Sequence, residues 1–193
     1  MTKHTAALLG LVLAAGGCAK NDELEALPAG SAYRAIREKV MEGGLLIEEI
    51  DVDLDGKADI FNTWRPRGDD APRQLVKKQM DVNLDGRPDM ISYYNDDDEI
   101  EREETDRNFD GAYDWIDHYQ SGNRVMTEND TNGDGRMDVF SYYDGPKGEL
   151  TRKERDEDND GRVDLWERFD TAGTVTRTGR DTDGDGKMDE RDE

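Results

Sequence analysis

The sequence predicts an all-β chain: tandem β-hairpin repeats of 24–26 residues, joined by acidic loops and preceded by one short helix. Three observations carry that expectation. The phrase Asp-x-(Asp/Asn)-x-Asp-Gly-x-x-Asp occurs six times, beginning at Asp51, Asp81, Asp106, Asp130, Asp156 and Asp181, in steps of 30, 25, 24, 26 and 25 residues. Each of the first five copies is followed by a short run rich in β-branched and aromatic residues, at 60–64, 90–94, 115–119, 139–143 and 165–169. Polar turns come next, such as Gln120-Ser121-Gly122-Asn123 and Thr171-Ala172-Gly173. Beyond them a more charged segment, as at 100–105 or 150–155, leads into the next copy. Loop, strand, turn and strand thus form the repeated unit.

The first element is an address. Lys3 and His4 precede an apolar run over 5–15, too short to span a bilayer, and it ends in Ala14-Ala15-Gly16-Gly17-Cys18. Small residues directly before the only Cys of the chain resemble a bacterial lipobox. The resemblance implies a signal peptide over 1–17 and a diacylglycerol on the Cys18 thiol. Ala15 stands where that pattern prefers Leu, which keeps plain secretion as the alternative. By resemblance to the bacterial sorting rule, Ala19 after the Cys favours the outer membrane, on its periplasmic or surface-exposed face. Several acyl chains, at about 0.8 kcal/mol per buried methylene, would anchor the chain durably.

Residues 18–44 read as a tether with a short capping helix. Ser31 serves as the N-cap, Tyr33, Ile36, Val40 and Met41 mark a stripe at helical spacing, and Gly43-Gly44 ends it. A lid over the end of the first repeat is what an array of repeats needs.

From 45 to 193 the acidic loops dominate, and their chemistry is specific. Oxygen side chains at loop positions 1, 3 and 5 converge on one point only if the backbone coils tightly, which the Gly at position 6 permits; position 7 offers a backbone carbonyl. Six to eight oxygen ligands suit calcium, whereas zinc or copper would call for His and Cys. The ligand sets this predicts are Asp51, Asp53, Asp55, Lys57 and Asp59; Asp81, Asn83, Asp85, Arg87 and Asp89; Asp106, Asn108, Asp110, Ala112 and Asp114; Asp130, Asn132, Asp134, Arg136 and Asp138; Asp156, Asp158, Asp160, Arg162 and Asp164; and Asp181, Asp183, Asp185, Lys187 and Asp189. In each set the fourth residue contributes its main-chain carbonyl. About six calcium ions are expected.

These are not EF-hands with flanking helices. The stretches between loops are short and each is broken by a turn, so two helices of ordinary length do not fit. The twelfth loop position is Asn62, Ser92, Asp117, Ser141, Glu167 and Asp192, so the closing Glu of an EF-hand occurs once. Asp at position 9 closes the site early and frees the residues after it to enter a strand. The loops resemble those of thrombospondin type 3 and FG-GAP repeats, and the unit is similar to repeats of bacterial surface lipoproteins with EF-hand-like loops. That resemblance covers about residues 45–193 and implies calcium at the matching positions, with no particular partner.

Within the strand runs, large residues fall at the first and fifth places, Ile60 and Trp64 through Leu165 and Phe169, with polar residues between them. They share one face of a strand and predict aromatic ladders along a thin apolar stripe. Hydrophobic residues make up 33% of the chain and charged ones 38%, against roughly 45–50% and about 25% in ordinary domains. Disorder would be the first reading of such a composition. The motif positions, however, supply 21 of the 48 acidic residues behind the net charge of −22. The acidity therefore reads as ligand charge, and a chain without metal is expected to repel itself and unfold.

Composition also restricts function. No basic patch suggests nucleic acid. Beyond the leader only His118 remains for imidazole chemistry, and the single Cys would carry lipid, so triads and thiolate catalysis are excluded and no enzyme is expected. Arg67-Gly68-Asp69, an integrin-type tripeptide, lies in a Pro-flanked insertion that reads as an ordinary long turn. The expectation is a membrane-tethered, calcium-binding repeat lipoprotein with a structural or adhesive role at the cell surface, meeting a surface protein or polysaccharide. A calcium-responsive regulator that folds on binding is the alternative.

Overall fold

A computed structural model describes residues 35–41, 43–68, 71–145 and 147–191. They form one antiparallel sheet of thirteen strands in sequence order. The strands are β1 (Ala35–Val40), β2 (Leu46–Asp51), β3 (Ile60–Arg65), β4 (Gln74–Met80), β5 (Met90–Tyr94), β6 (Ile100–Thr105) and β7 (Trp115–Gln120). They continue with β8 (Asn123–Asn129), β9 (Val139–Asp144), β10 (Glu149–Arg155), β11 (Leu165–Phe169), β12 (Val175–Arg180) and β13 (Glu190–Arg191). Because the strands simply meander, all six acidic loops lie along one edge of the sheet and the polar turns along the other.

The expected helix is a strand. Residues 35–40 pair with β2, from Ala35 opposite Asp51 to Val40 opposite Leu46, and among the described residues there is no helix. The helical stripe also satisfies strand alternation, and a buried anion decides between them. Glu49 on β2 is 6% exposed. Arg37 Nε donates to it at 2.7 Å and Lys39 Nζ at 2.6 Å, and residues two apart reach one point from a strand, not from a helix. Burial raises the Glu49 pKa, but the Lys39 and Arg37 hydrogen bonds and charges outweigh it and leave it below the ordinary value. Gly43 and Gly44, at φ 86° and 79°, make the turn between β1 and β2 rather than a helix stop. Cys18, the leader, Ser31 and Tyr33 lie outside the described residues, as does Asp192.

Each strand touches only its sequence neighbours, so the sheet is a single layer. The only apolar residues that become buried, among those described, are Ile50, Ile91 and Leu165. Pairing across Ile50–Ile60, Met80–Met90, Thr105–Trp115, Asn129–Val139 and Arg155–Leu165 places the first residues of the strand runs in one row. The fifth residues form a second row on that face, opposite Leu75, Ile100, Arg124, Leu150 and Val175. Like residues of successive repeats are therefore two strands apart, roughly 9.5 Å, and the aromatics are interleaved with other side chains instead of stacked on one another. Arg124, for example, lies 4.4 Å from the Tyr143 ring centroid.

Five hairpins carry a bulge at the equivalent place, with Val76, Glu101, Val125, Thr151 and Thr176 as the extra residue. The bulge returns Leu75, Ile100, Leu150 and Val175 to the aromatic face. Thr151 and Thr176 bond their hydroxyls back to the Tyr142 and Arg168 carbonyls at 3.2 and 3.3 Å. The insertion before β4 is tied across to the β5–β6 turn. Arg67 donates to Asp98 at 2.9 and 3.2 Å and to the Asp96 carbonyl at 2.7 Å, so its guanidinium is committed within the fold.

Candidate metal edge

The six acidic loops share one hydrogen-bond pattern, built on their own carboxylates. The position-1 Asp accepts the N–H of the position-6 Gly in every copy, at 2.6–3.0 Å for Gly56, Gly86, Gly111, Gly135, Gly161 and Gly186. The position-3 side-chain oxygen accepts the position-5 amide, and the position-5 carboxylate accepts the position-7 amide, as in Asp55→Asp53 at 2.9 Å and Lys57→Asp55 at 2.7 Å. The position-9 Asp reaches back to the amide of position 2: Val52, Val82, Arg107, Thr131, Glu157 and Thr182, at 2.6–3.3 Å. These bonds wrap nine residues around their own oxygens.

Backbone conformation explains why so tight a coil is possible. The position-6 glycines lie at φ 82–95°. Position 4 is left-handed too: Leu54, Leu84, Phe109 and Asn159 at 62–72°, and Gly133 and Gly184 at 74°. Nothing in the motif as read from sequence marks position 4, because large side chains occupy it in half of the copies. Its cost is borne by the loop's hydrogen bonds.

Burial separates the carboxylates. Asp51, Asp59, Asp81, Asp89, Asp106, Asp130 and Asp138, all at positions 1 or 9, are buried at 2–9% exposure, whereas positions 3 and 5 are exposed in every loop. In the first, fifth and sixth copies, Asp51, Asp53 and Asp59, Asp156, Asp158 and Asp164, and Asp181, Asp183 and Asp189 each bring one oxygen within 4.8 Å of the other two. Three Asp-rich groups that could hold a metal ion are thus present. In the other copies position 3 is Asn83, Asn108 or Asn132, whose amide oxygen accepts the position-5 amide at 2.8–2.9 Å just as Asp53 does. Asp55, Asp160 and Asp185 stand outside the three groups; Asp55 and Asp185 have Lys57 and Lys187 ammonium groups at 3.3 and 2.6 Å.

Two features fit these residues to a cation. Asp51 and Asp59 are both buried carboxylates within 4.8 Å, and no cationic side chain pairs with either among the described residues. Two like charges so placed repel by about 3–4 kcal/mol at an effective dielectric of ~20. In the fifth loop Asp156 Oδ1 is buried with no hydrogen-bond partner. An orphaned oxygen on a carboxylate that belongs to such a cluster is what a hard cation would satisfy. Local bonds hold three of the loop carboxyls, Asp55, Asp181 and Asp189, below their usual pKa. The Lys57 amide and ammonium hold Asp55 below its usual pKa. Burial raises Asp181, but the amides of Gly186, Gly184, Asp183 and Asp185 outweigh it, and the Thr182 amide and hydroxyl lower Asp189. No family model matches the chain, and no curated protein matches it.

Neighbouring loops are bonded to one another through the backbone. The position-1 amides of Asp81, Asp106, Asp130, Asp156 and Asp181 donate to the position-9 carbonyls of Asp59, Asp89, Asp114, Asp138 and Asp164, at 2.7–2.9 Å. Side chains add to this: Tyr113 Oη donates to the Pro88 carbonyl at 3.0 Å, and Asn132 Nδ2 to Asn159 Oδ1 at 2.5 Å. The five described twelfth loop positions lie on the strands instead, where Asn62 donates to Glu48 at 2.8 Å and Asp117 accepts from Thr127 at 2.5 Å. His118 Nε2 is 2.6 Å from Glu128 Oε1 on the sheet face, away from the loops.

Proposed function

We propose that the chain is a calcium-binding, lipid-tethered repeat protein with a structural or adhesive role at a bacterial outer membrane. The observation that carries the calcium reading is the convergence of unpaired Asp carboxylates at loop positions 1, 3 and 9, two of them buried in the first loop. Oxygen-only donors and glycine-permitted coils favour calcium over softer metals. In this reading each loop binds one ion, the three loops with Asn at position 3 included, since an amide oxygen is also a calcium ligand. Six ions would offset about half of the net −22.

The mechanism is linkage. An ion that binds the coiled loop and not the unfolded chain stabilises the sheet by its binding free energy. Extracellular calcium modules bind at about 10⁻⁴–10⁻³ M, so the loops would be filled outside the cell without switching. Acyl chains on Cys18 would hold the array at the membrane, and the sheet faces would meet a surface protein or polysaccharide. No residue set is assigned to catalysis. Isothermal titration of the chelator-stripped protein with calcium tests the reading: uptake near six ions per chain supports it, and no uptake, or equal uptake of zinc in place of calcium, refutes it.

A further inference from the structure

On the sheet face opposite the first apolar row, one row of the repeat changes character at the last hairpin. The residue two places before each loop is Glu49, Gln79, Glu104, Glu128 and Glu154 in the first five copies and Gly179 in the sixth. Those carboxylates serve the cations beside them. Arg102 lies 3.0 Å from Glu104, His118 2.6 Å from Glu128, and Arg152 3.4 Å from Glu154. Arg177 occupies on β12 the place that Arg102 and Arg152 occupy on β6 and β10, but two residues on it finds glycine. Its neighbour across the pairing is Arg168, which in turn faces Arg152. Three guanidinium side chains thus share one cross-strand line, and neither Arg168 nor Arg177 forms an ion pair with any described residue. Like charges directly opposite one another destabilise a sheet unless something anionic lies between them.

Beside Gly179 lies a concavity of about 230 Å³ walled by these three arginines, Glu154, Trp166, Gly179 and Met188. A Cβ on Gly179 would collide with Met188 Sδ, so the glycine is what lets that thioether fold down as one wall. The space is smaller than the ~300–1,000 Å³ of drug-sized sites and suits a single ring.

We propose that this pocket binds an anionic sugar residue, its acidic group gripped by Arg168 and Arg177 and its ring lying against Trp166. Arginine forks match carboxylate and phosphate oxygens in pairs, and an indole offers an apolar surface to a sugar ring. The rest of the molecule selects for a short ligand: a long polyanion would meet the acidic loops of a chain carrying −22, while a single acidic residue meets Arg168 and Arg177, the Glu154 carboxylate beside them being paired with Arg152 at 3.4 Å. The inference goes beyond the calcium reading and uses none of the loop carboxylates.

The test is titration calorimetry at saturating calcium, with the β signature of each variant checked by circular dichroism. Glucuronate, glucose 6-phosphate, glucose and inorganic phosphate are compared. Binding of either or both acidic sugars, with glucose and phosphate each about tenfold weaker or more, is the expected result, and which acidic sugar binds tells carboxylate from phosphate recognition. Arg168→Gln and Arg177→Gln, both at exposed positions, should each weaken the acidic sugar about tenfold, the equivalent of one charge-assisted hydrogen bond. Lys147→Gln, the same charge change at an exposed turn, should leave it unaltered. Equal binding of glucose or of phosphate, no binding of either acidic sugar, or an equal loss in the Lys147 variant would overturn the assignment.

Discussion

The Asp81 amide donates to the Asp59 carbonyl at 2.7 Å, joining the first residue of one acidic loop to the last of the loop before it. The bond recurs between every successive pair, so the two ends of each candidate metal site are shared with its neighbours through one peptide link. Nearest-neighbour coupling of this kind makes a repeat array behave as a chain of interacting units. Calcium uptake should accordingly be cooperative. Asp138→Asn, in an interior loop, should remove one ion and weaken its two neighbours about fivefold, the low end of site–site coupling, whereas Asp189→Asn at the end of the row should affect one neighbour only. Calorimetric titration of both variants distinguishes coupled from independent loops.

Gly86 sits at φ 93° with nothing within 4 Å of a hypothetical Cβ. Replacing it by Ala therefore tests backbone conformation alone. Gly86→Ala should cost about 1–2 kcal/mol in urea unfolding at fixed calcium, the penalty of a left-handed residue. Leu84→Gly, at φ 63° two residues earlier, relieves strain but adds unfolded-chain entropy and should come out within about 1 kcal/mol of the parent.

Gln74 is 2% exposed and ties the first long insertion to the next hairpin, its Nε2 donating to the Asn95 carbonyl at 2.6 Å while Arg65 donates to its Oε1 at 3.2 Å. Gln74→Ala removes this buried tie and leaves the Asn95 carbonyl with the Asp98 amide alone, at 3.2 Å, and should cost about 1 kcal/mol. Thermal unfolding followed by circular dichroism reads the change.

Much of this architecture is written in the sequence. The runs at 90–94 and 165–169 are strands β5 and β11 to the residue, and 100–105 is β6, because period-2 patterning between acidic loops and polar turns leaves no competing structure. The first strand was hidden because Ile36 and Val40 fit a helix and a strand alike; only the need of Glu49 for Arg37 and Lys39 decides it, and that contact is tertiary. The bulges at Val76 or Thr151 leave no mark in composition, since one extra residue in a charged strand looks like ordinary variation. Phe61, Ile91, Ile116, Phe140 and Trp166 sit between the residues of the expected apolar stripe and so face the other side. A sheet with no covering layer presents apolar surface on both faces, which a one-faced reading misses. At the loops, the nine-residue spacing places the carboxylates, but the left-handed position 4 and the exclusion of Asp55, Asp160 and Asp185 from the three clusters emerge only with backbone geometry.

Tyr94, Tyr119 and Tyr142 all have phenol pKa values above 10, raised first by burial and then by Glu103, by Asp117 and Glu103, and by Glu154 respectively. A folded-state pKa above the unfolded value contributes stability that is complete below the unfolded pKa and is lost as pH rises through the folded one. The sheet should hold constant stability up to about pH 9 and weaken beyond pH ~10. Absorbance titration of tyrosinate alongside circular dichroism checks this: ionisation should lag that of free tyrosine and coincide with loss of sheet. Tyr142→Phe should reduce the alkaline loss.

In this account bound cations take the place of a hydrophobic interior, in a sheet where three apolar side chains are buried among the described residues. Far-UV circular dichroism of the chain in excess chelator, followed by return of calcium, tests it most directly. The β signal should collapse on stripping and recover on addition of calcium, with magnesium a poor substitute. A chelated chain that keeps its full sheet spectrum and its cooperative thermal transition would contradict the account.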